Sequence, residues 1–274
     1  MEFLQPPTWR EALEARVAHP DALPIWGGTD VMVEMNFARK RPEALLDLTR
    51  VDELSRWSAE DGWFRIGAGV SYTRVIAELG EALPGLAMAS RTVGSPQIRN
   101  RGTIGGNLGS SSPAGDALPP LYAGGADVEL WSVRGSRRVP IDDFIVGPKR
   151  NALAPDELIA AVWMPRASGP QQFAKVGTRN AMVIAVCSFA LDLGTGRTCI
   201  GSAGPRPLRA HDAEAFLAEQ DEISNGTAER FGELVAAAAS PIDDVRGTAA
   251  YRRHALSVLA RRTLTWAWRE RICD

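Results

Sequence analysis

The chain has 274 residues, 45% of them hydrophobic and 23% charged, a composition ordinary for a soluble globular protein with room for about two domains. A formal net charge of −2 gives no broad basic field, which argues against nucleic acid as a partner. The three cysteines, Cys187, Cys199 and Cys273, are widely spaced and form no CxxC pair, so zinc and iron–sulfur readings lack ligands and free thiols in a reducing compartment are expected.

The N-terminus has no charged region followed by an apolar one, and no apolar run is long enough to span a bilayer. A cytoplasmic chain without membrane contact is expected. Thr8-Trp9-Arg10-Glu11 fits a capping box that opens a helix through about Val17. Leu23 to Trp26 reads as a short strand ending at Gly27-Gly28, and Val31, Met32 and Met35 follow at helical spacing. Ala44 to Leu48 is a second strand, and Trp57 to Ile66 a hairpin turning at Asp61-Gly62. Helices are predicted over Tyr72 to Leu79 and near Ala87 to Val93, and then comes a Gly-, Ser- and Asn-rich loop, Arg99 to Asp116.

A short helix follows at Ala117 to Tyr122, then a hairpin over Asp127 to Ile141 and a strand over Glu157 to Trp163. Ala167-Ser168-Gly169-Pro170 is the clearest linker signal. Beyond it, Phe173 to Val176, Met182 to Leu193 and Arg197 to Ser202 read as three antiparallel strands. Helices are expected over His211 to Glu219, Ala228 to Ala239 and Thr248 to Arg269. The pattern is α+β, with one domain over 1–168, itself divided at about 56 and 57, and a second over 169–274.

Two glycine segments carry the chemistry. In Pro24-Ile25-Trp26-Gly27-Gly28-Thr29-Asp30, paired glycines let backbone approach a bulky anion, and a helix opening at Thr29 would aim free N–H groups at it. A plain strand-to-helix turn has the same composition, so this segment alone decides nothing. It is neither a Walker loop nor a Rossmann turn. The segment Arg99 to Asp116 contains five glycines, three serines, a threonine and two asparagines. Such a loop can offer many backbone and hydroxyl donors to a phosphate-bearing ligand, and Asp116 offers an acceptor for a sugar or ribityl hydroxyl. The histidines, His19, His211 and His254, have no convergent partner, so no catalytic or metal-ligating residue is assigned.

Taken together and in order, Gly27 to Asp30 and Thr103 to Asp116 resemble the paired loops of the FAD-binding subunits of the xanthine dehydrogenase and carbon monoxide dehydrogenase family. The resemblance continues through Pro155-Asp156-Glu157-Leu158-Ile159, Phe173-Ala174-Lys175-Val176-Gly177-Thr178-Arg179, Gly204-Pro205-Arg206-Pro207-Leu208-Arg209 and Tyr251-Arg252-Arg253-His254, and so covers nearly the whole chain. It implies a two-subdomain FAD-binding fold of the vanillyl-alcohol-oxidase type, followed by a small C-terminal domain. It further implies that Ile25, Trp26, Gly27, Gly28, Thr29, Asp30 and Val31 cradle the FAD pyrophosphate, and that Thr103, Gly106, Asn107, Ser112 and Asp116 hold the pyrophosphate and the sugar or ribityl hydroxyls. Val93 would pack on the cofactor, and Ile159 and Lys175 would approach the flavin ring.

The implied role is an oxidoreductase subunit that passes electrons from iron–sulfur clusters on a partner chain through FAD to an acceptor. Its partners would be an iron–sulfur subunit and a molybdenum-cofactor subunit, in a heterotrimer or its dimer. A stand-alone FAD-dependent oxidoreductase and a degenerate scaffold subunit are the alternatives, and the intact glycine and Asp positions of both loops oppose the second. The chain departs from the family in its short length, in Val93, which offers no ring, and in the polar run Ser110-Ser111-Ser112.

Overall fold

A computed structural model describes residues 1–273. The chain opens with β1 (Glu2–Leu4), α1 (Trp9–Ala18), β2 (Leu23–Ile25), α2 (Val31–Asn36) and β3 (Ala44–Asp47). These strands form a parallel sheet in the order β1-β3-β2, in which β3 is buried along its length. α1 starts where the sequence requires: the Thr8 hydroxyl caps the helix by accepting from the N–H of Glu11, and it donates to the Glu11 carboxylate, which in a full capping box would accept from the Thr8 N–H instead. β1 was not anticipated from the sequence. Three residues carry too short an alternation to read, and the strand exists because Glu2 to Leu4 pair with Ala44 to Leu46.

After a 3-10 turn at Asp52–Ser55 comes β4 (Trp57–Glu60), β5 (Trp63–Gly67), α3 (Tyr72–Glu78), α4 (Pro84–Thr92), α5 (Pro96–Arg101), α6 (Ile104–Ser110) and α7 (Leu118–Ala123). Then follow β6 (Asp127–Ser132), β7 (Gly135–Pro140), α8 (Ile141–Phe144), β8 (Ile145–Gly147), β9 (Arg150–Asn151) and β10 (Leu158–Pro165). β4, β5, β10, β6 and β7 make a five-stranded antiparallel sheet in that order. Its inner face supplies Phe64, Ile66, Val128, Leu130 and Val162 to one core, which also takes Ile104 and Leu108 from α6.

That last contact corrects the expectation of a loop over Arg99 to Asp116. The segment contains the end of α5 and all of α6, and Ile104 and Leu108 are fully buried. Glycine weakens a helix by roughly 1 kcal/mol per residue in isolation. Here tertiary packing overrides it, because a Cβ at Gly105 would lie 2.5 Å from the Ala68 Cβ and 2.6 Å from its carbonyl oxygen. Thr103 caps the helix by accepting from the N–H of Gly106 at 2.9 Å. The small β8–β9 hairpin was also missed. Its turn holds Lys149 at φ 54°, a conformation for which lysine carries no sequence signal.

The C-terminal part consists of β11 (Gln171–Gly177), β12 (Ala185–Asp192), β13 (Arg197–Gly201), α9 (His211–Ala218), α10 (Asn225–Ala238) and α11 (Ala249–Cys273). The three strands form an antiparallel sheet, and α10 and α11 pack on it around Phe189, Phe231, Leu256 and Leu264. β12 starts at Ala185 rather than Met182, because 178–184 turns back and holds Met182 at φ 50°. Trp268 packs against this core, whereas Trp266 is exposed. Cys187 and Cys199 are buried, Cys273 is exposed, and all three are free. No helix among the described residues is long and apolar enough to cross a membrane.

Candidate functional site

A cleft of about 560 Å³ runs between the parallel sheet, the five-stranded sheet and the 178–184 turn. Its walls include Ile25, Trp26, Gly27, Gly28, Thr29, Asp30 and Val31 from the first glycine segment, and Thr103, Gly106, Asn107, Ser112 and Asp116 from the second. Val93 and Ile159 complete the set expected from the sequence, except for Lys175.

The two segments are held together by backbone contact. Gly27 lies so close to the Arg101 carbonyl that a Cβ would sit 1.8 Å from its oxygen. Gly27 therefore serves contact between the segments, a different use of glycine from the ligand approach read in the sequence. Gly28 supplies a φ of 73°, which turns the chain from β2 into α2. In this conformation none of the backbone N–H groups of Gly27, Gly28, Thr29, Asp30 and Val31 is taken by another group among the described residues. Consecutive free N–H groups in such a concavity are what an anionic diphosphate requires.

The second segment works differently from its sequence reading. The N–H groups of Ile104, Gly105, Gly106 and Asn107 are taken by Val70 O, Ala68 O, Thr103 Oγ1 and Thr103 O. Their donors are spent on the fold, and the segment instead offers space and side-chain oxygens. A Cβ at Gly106 would meet only Thr103 Oγ1, at 3.1 Å, so this glycine keeps the cleft open. Asn107 Oδ1 and Asp116 Oδ1 are buried and accept from no group among the described residues. Leaving such acceptors unmet costs about 1–3 kcal/mol each. They are placed to receive donors from a bound molecule. Among the three serines, Ser111 turns inward, donating to Leu108 O at 2.6 Å and accepting from Asn151 Nδ2 at 3.0 Å, while Ser112 stays on the cleft wall.

Lys175 does not line the cleft. It reaches from β11 across to the N-terminal part and places its ammonium 2.6 Å from Asp116 Oδ2, 3.0 Å from Thr92 O and 3.1 Å from Val183 O. In this structure the ammonium faces Asp116, Thr92 and Val183. A lysine whose side chain is only 9% exposed needs oxygen acceptors around its charge, and those lie behind Asp116. Burial pushes the Asp116 carboxyl above the usual carboxylate range, and Lys175 pulls it back down.

Sequence reasoning missed several lining residues. Tyr72 stands at the first turn of α3, 4% exposed. Burial, with Asp116 and Asp30 nearby, raises its phenol well above the ordinary value and keeps it a hydrogen-bond donor. The signal available was Ser71, which pairs with Thr103 as an isolated bridge and caps α3. Glu34 and Lys149 pair across the cleft edge at 2.6 Å. Arg16 and Leu153 also line it, and Met182, Val183 and Ile184 enter from the C-terminal part.

The cleft has free N–H groups on one wall and orphaned acceptors on the other, groups that suit a ligand carrying both phosphate and hydroxyl groups. Residues 1–167 match the family described as "FAD binding domain in molybdopterin dehydrogenase", and residues 172–267 match the "CO dehydrogenase flavoprotein C-terminal domain". The chain belongs to this family of FAD-binding subunits of molybdenum hydroxylases. It is 32% identical to the nicotine 6-hydroxylase medium subunit of Paenarthrobacter nicotinovorans, over 97% of each chain. It is 30% identical to the xanthine dehydrogenase FAD-binding subunit of Escherichia coli O157:H7, over 95% of this chain and 93% of that one. In fold it is similar to a chain of carbon monoxide dehydrogenase from Hydrogenophaga pseudoflava, with a TM-score of 0.92, 27% identity and 98% of each chain covered.

The residues present fit FAD: Gly27 to Val31 suit its pyrophosphate, and the free oxygens of Asn107 and Asp116 suit hydroxyl donors.

Proposed function

We propose that this chain is the FAD-carrying electron-transfer subunit of a molybdenum-containing hydroxylase or dehydrogenase, working with an iron–sulfur subunit and a molybdenum-cofactor subunit in the cytoplasm. The observation that carries the reading is the convergence on one cleft of five free N–H groups, Gly27 to Val31, and two unpaired buried oxygens, on Asn107 and Asp116. FAD, when bound, supplies the redox chemistry, accepting electrons from a donor and yielding them to an acceptor.

The chain's own residues bind and orient. The Gly27 to Val31 nest takes the pyrophosphate, with the Thr29 hydroxyl as a further donor. Gly106 keeps the opposite wall low enough for the cofactor to lie down. Asn107, Ser112 and Asp116 take the sugar or ribityl hydroxyls, and Tyr72 adds a protonated donor. Val93 and Ile159 give apolar packing and exclude water beside the ring. Lys175 acts through Asp116, donating to one of its oxygens and favouring its carboxylate form against the effect of burial. No residue is assigned acid–base work, since the flavin chemistry belongs to the cofactor.

The test is purification from the native cell. The account expects flavin, iron, acid-labile sulfide and molybdenum in one assembly. Full substrate turnover by this chain alone would favour a stand-alone flavoprotein instead.

A further inference from the structure

We propose that Ser202 is a positioning residue for the cofactor cleft, tying the turn over 178–184 to the wall around Asp116 so that the two keep the spacing FAD requires. This rests on the function proposed above. β13 ends at Gly201, where a Cβ would sit 2.6 Å from Pro119 Cγ of α7, so the strand is pressed against the N-terminal part at this point. The next residue, Ser202, is buried and takes a φ of 60°, the left-handed region that residues with a Cβ rarely adopt.

A serine that served only to turn the chain would leave its polar groups to water. Those of Ser202 are all used, and each reaches a different segment. Its N–H donates to Pro113 O at 2.9 Å, its hydroxyl donates to Ala185 O at 2.7 Å, and its carbonyl accepts from the Arg252 guanidinium at 2.6 Å. Pro113 lies between Ser112 and Ala114, two residues of the cleft wall. Ala185 follows Met182, Val183 and Ile184, which enter the cleft from the C-terminal part. Arg252, buried on α11, also donates to Val186 O at 2.9 Å, so one guanidinium backs both Ser202 and the residue after Ala185.

Backbone strain persists where the surroundings over-determine a residue, and it clusters at ligand clamps. Three partners on three segments over-determine Ser202. Lys175 bridges the same two sides of the cleft, through Val183 O and Asp116. Lys175 brings a charge to that bridge. Ser202 brings none, so its contribution is spacing.

The test uses the full chain, freed of flavin and titrated with FAD, as wild type, Ser202→Ala and Ser202→Gly. Both variants keep the N–H and carbonyl and remove the hydroxyl, and only glycine relaxes the left-handed backbone. Ser202→Gly should therefore melt at a higher temperature than Ser202→Ala. Both should nevertheless lose FAD affinity alike, by about three- to tenfold. Affinity that follows the melting temperature, weakened in Ser202→Ala and normal in Ser202→Gly, would make Ser202 a residue of the fold alone and overturn the proposal. Wild-type affinity in both variants would overturn it too, while leaving the proposed function standing. A wild-type chain that binds no FAD would overturn both.

Discussion

The ammonium of Lys175 lies 2.6 Å from Asp116 Oδ2, joining the C-terminal part of the chain to the wall of the cleft through side chains only 9% and 10% exposed. Asp116 therefore has two duties. One oxygen is tied to Lys175, and the other, Oδ1, is buried and free to accept from a ligand. The pair couples how the two parts of the chain are packed to how the cleft is charged.

Lys175→Met separates these effects. Removing one partner of a buried ion pair leaves the other charge unmet, at a cost of about 3–5 kcal/mol. The resemblance alone suggested a residue that approaches the flavin ring, and the geometry predicts a clear loss of both stability and flavin. The pH sign follows from the burial of Asp116. Its folded-state pKa is raised, so ionised Asp116 opposes folding above that pKa, and the opposition disappears as pH falls and the carboxyl protonates. Without Lys175 the carboxyl rises further. The defect measured by thermal unfolding should be largest at neutral pH and shrink on acidification, and a defect independent of pH would remove Asp116 from the explanation.

Gly105 and Gly106 are neighbours with opposite duties. Gly105→Ala drives a Cβ into the Ala68 backbone and should cost about 1–3 kcal/mol of stability, because the contact is with main chain that cannot rotate away. Gly106→Val should leave the fold largely intact and lower flavin affinity by at least about tenfold, since its side chain enters the cleft. Thermal melts and flavin content, measured on both variants, read out the two roles. Full flavin content in Gly106→Val would mean that the cofactor lies elsewhere.

Acid stability of the C-terminal part should depend on Asp244. Burial raises its carboxyl, but the N–H of Arg246 and the guanidinium groups of Arg252 and Arg246 outweigh this and hold it down to about 2. A depressed folded-state pKa contributes stability that is complete above the unfolded value, near 3.9, and is lost as pH falls from there toward the folded one. Asp244→Asn should therefore destabilise the protein at neutral pH and make little difference near pH 2. Acid titrations followed by circular dichroism give the comparison, and an equal defect at both ends would discount the ion cluster.

Much of this was legible before any coordinates. The paired glycine segments brought Gly27, Thr103, Asn107 and Asp116 to one site, and the Thr8 capping box placed α1. What stayed hidden depended on contacts between distant residues. α6 was unreadable because glycine-rich sequence argues against helix, and it is the burial of Ile104 and Leu108, with Gly105 packed against Ala68, that holds it in place. The spent N–H groups of Ile104 to Asn107 could not be seen without knowing that Val70 and Ala68 accept from them. Lys175 carried the right residue type, but its direction was set by Thr92, Asp116 and Val183, the nearest of them 8 positions away along the chain.

The central claim is that this cleft holds FAD, and the visible absorption spectrum of the purified chain tests it most directly. The account predicts the absorption bands of a bound flavin, and release of intact FAD into the supernatant when the protein is denatured, since no attachment residue is assigned. A colourless protein that takes up no added FAD, while melting as a folded chain, would contradict it.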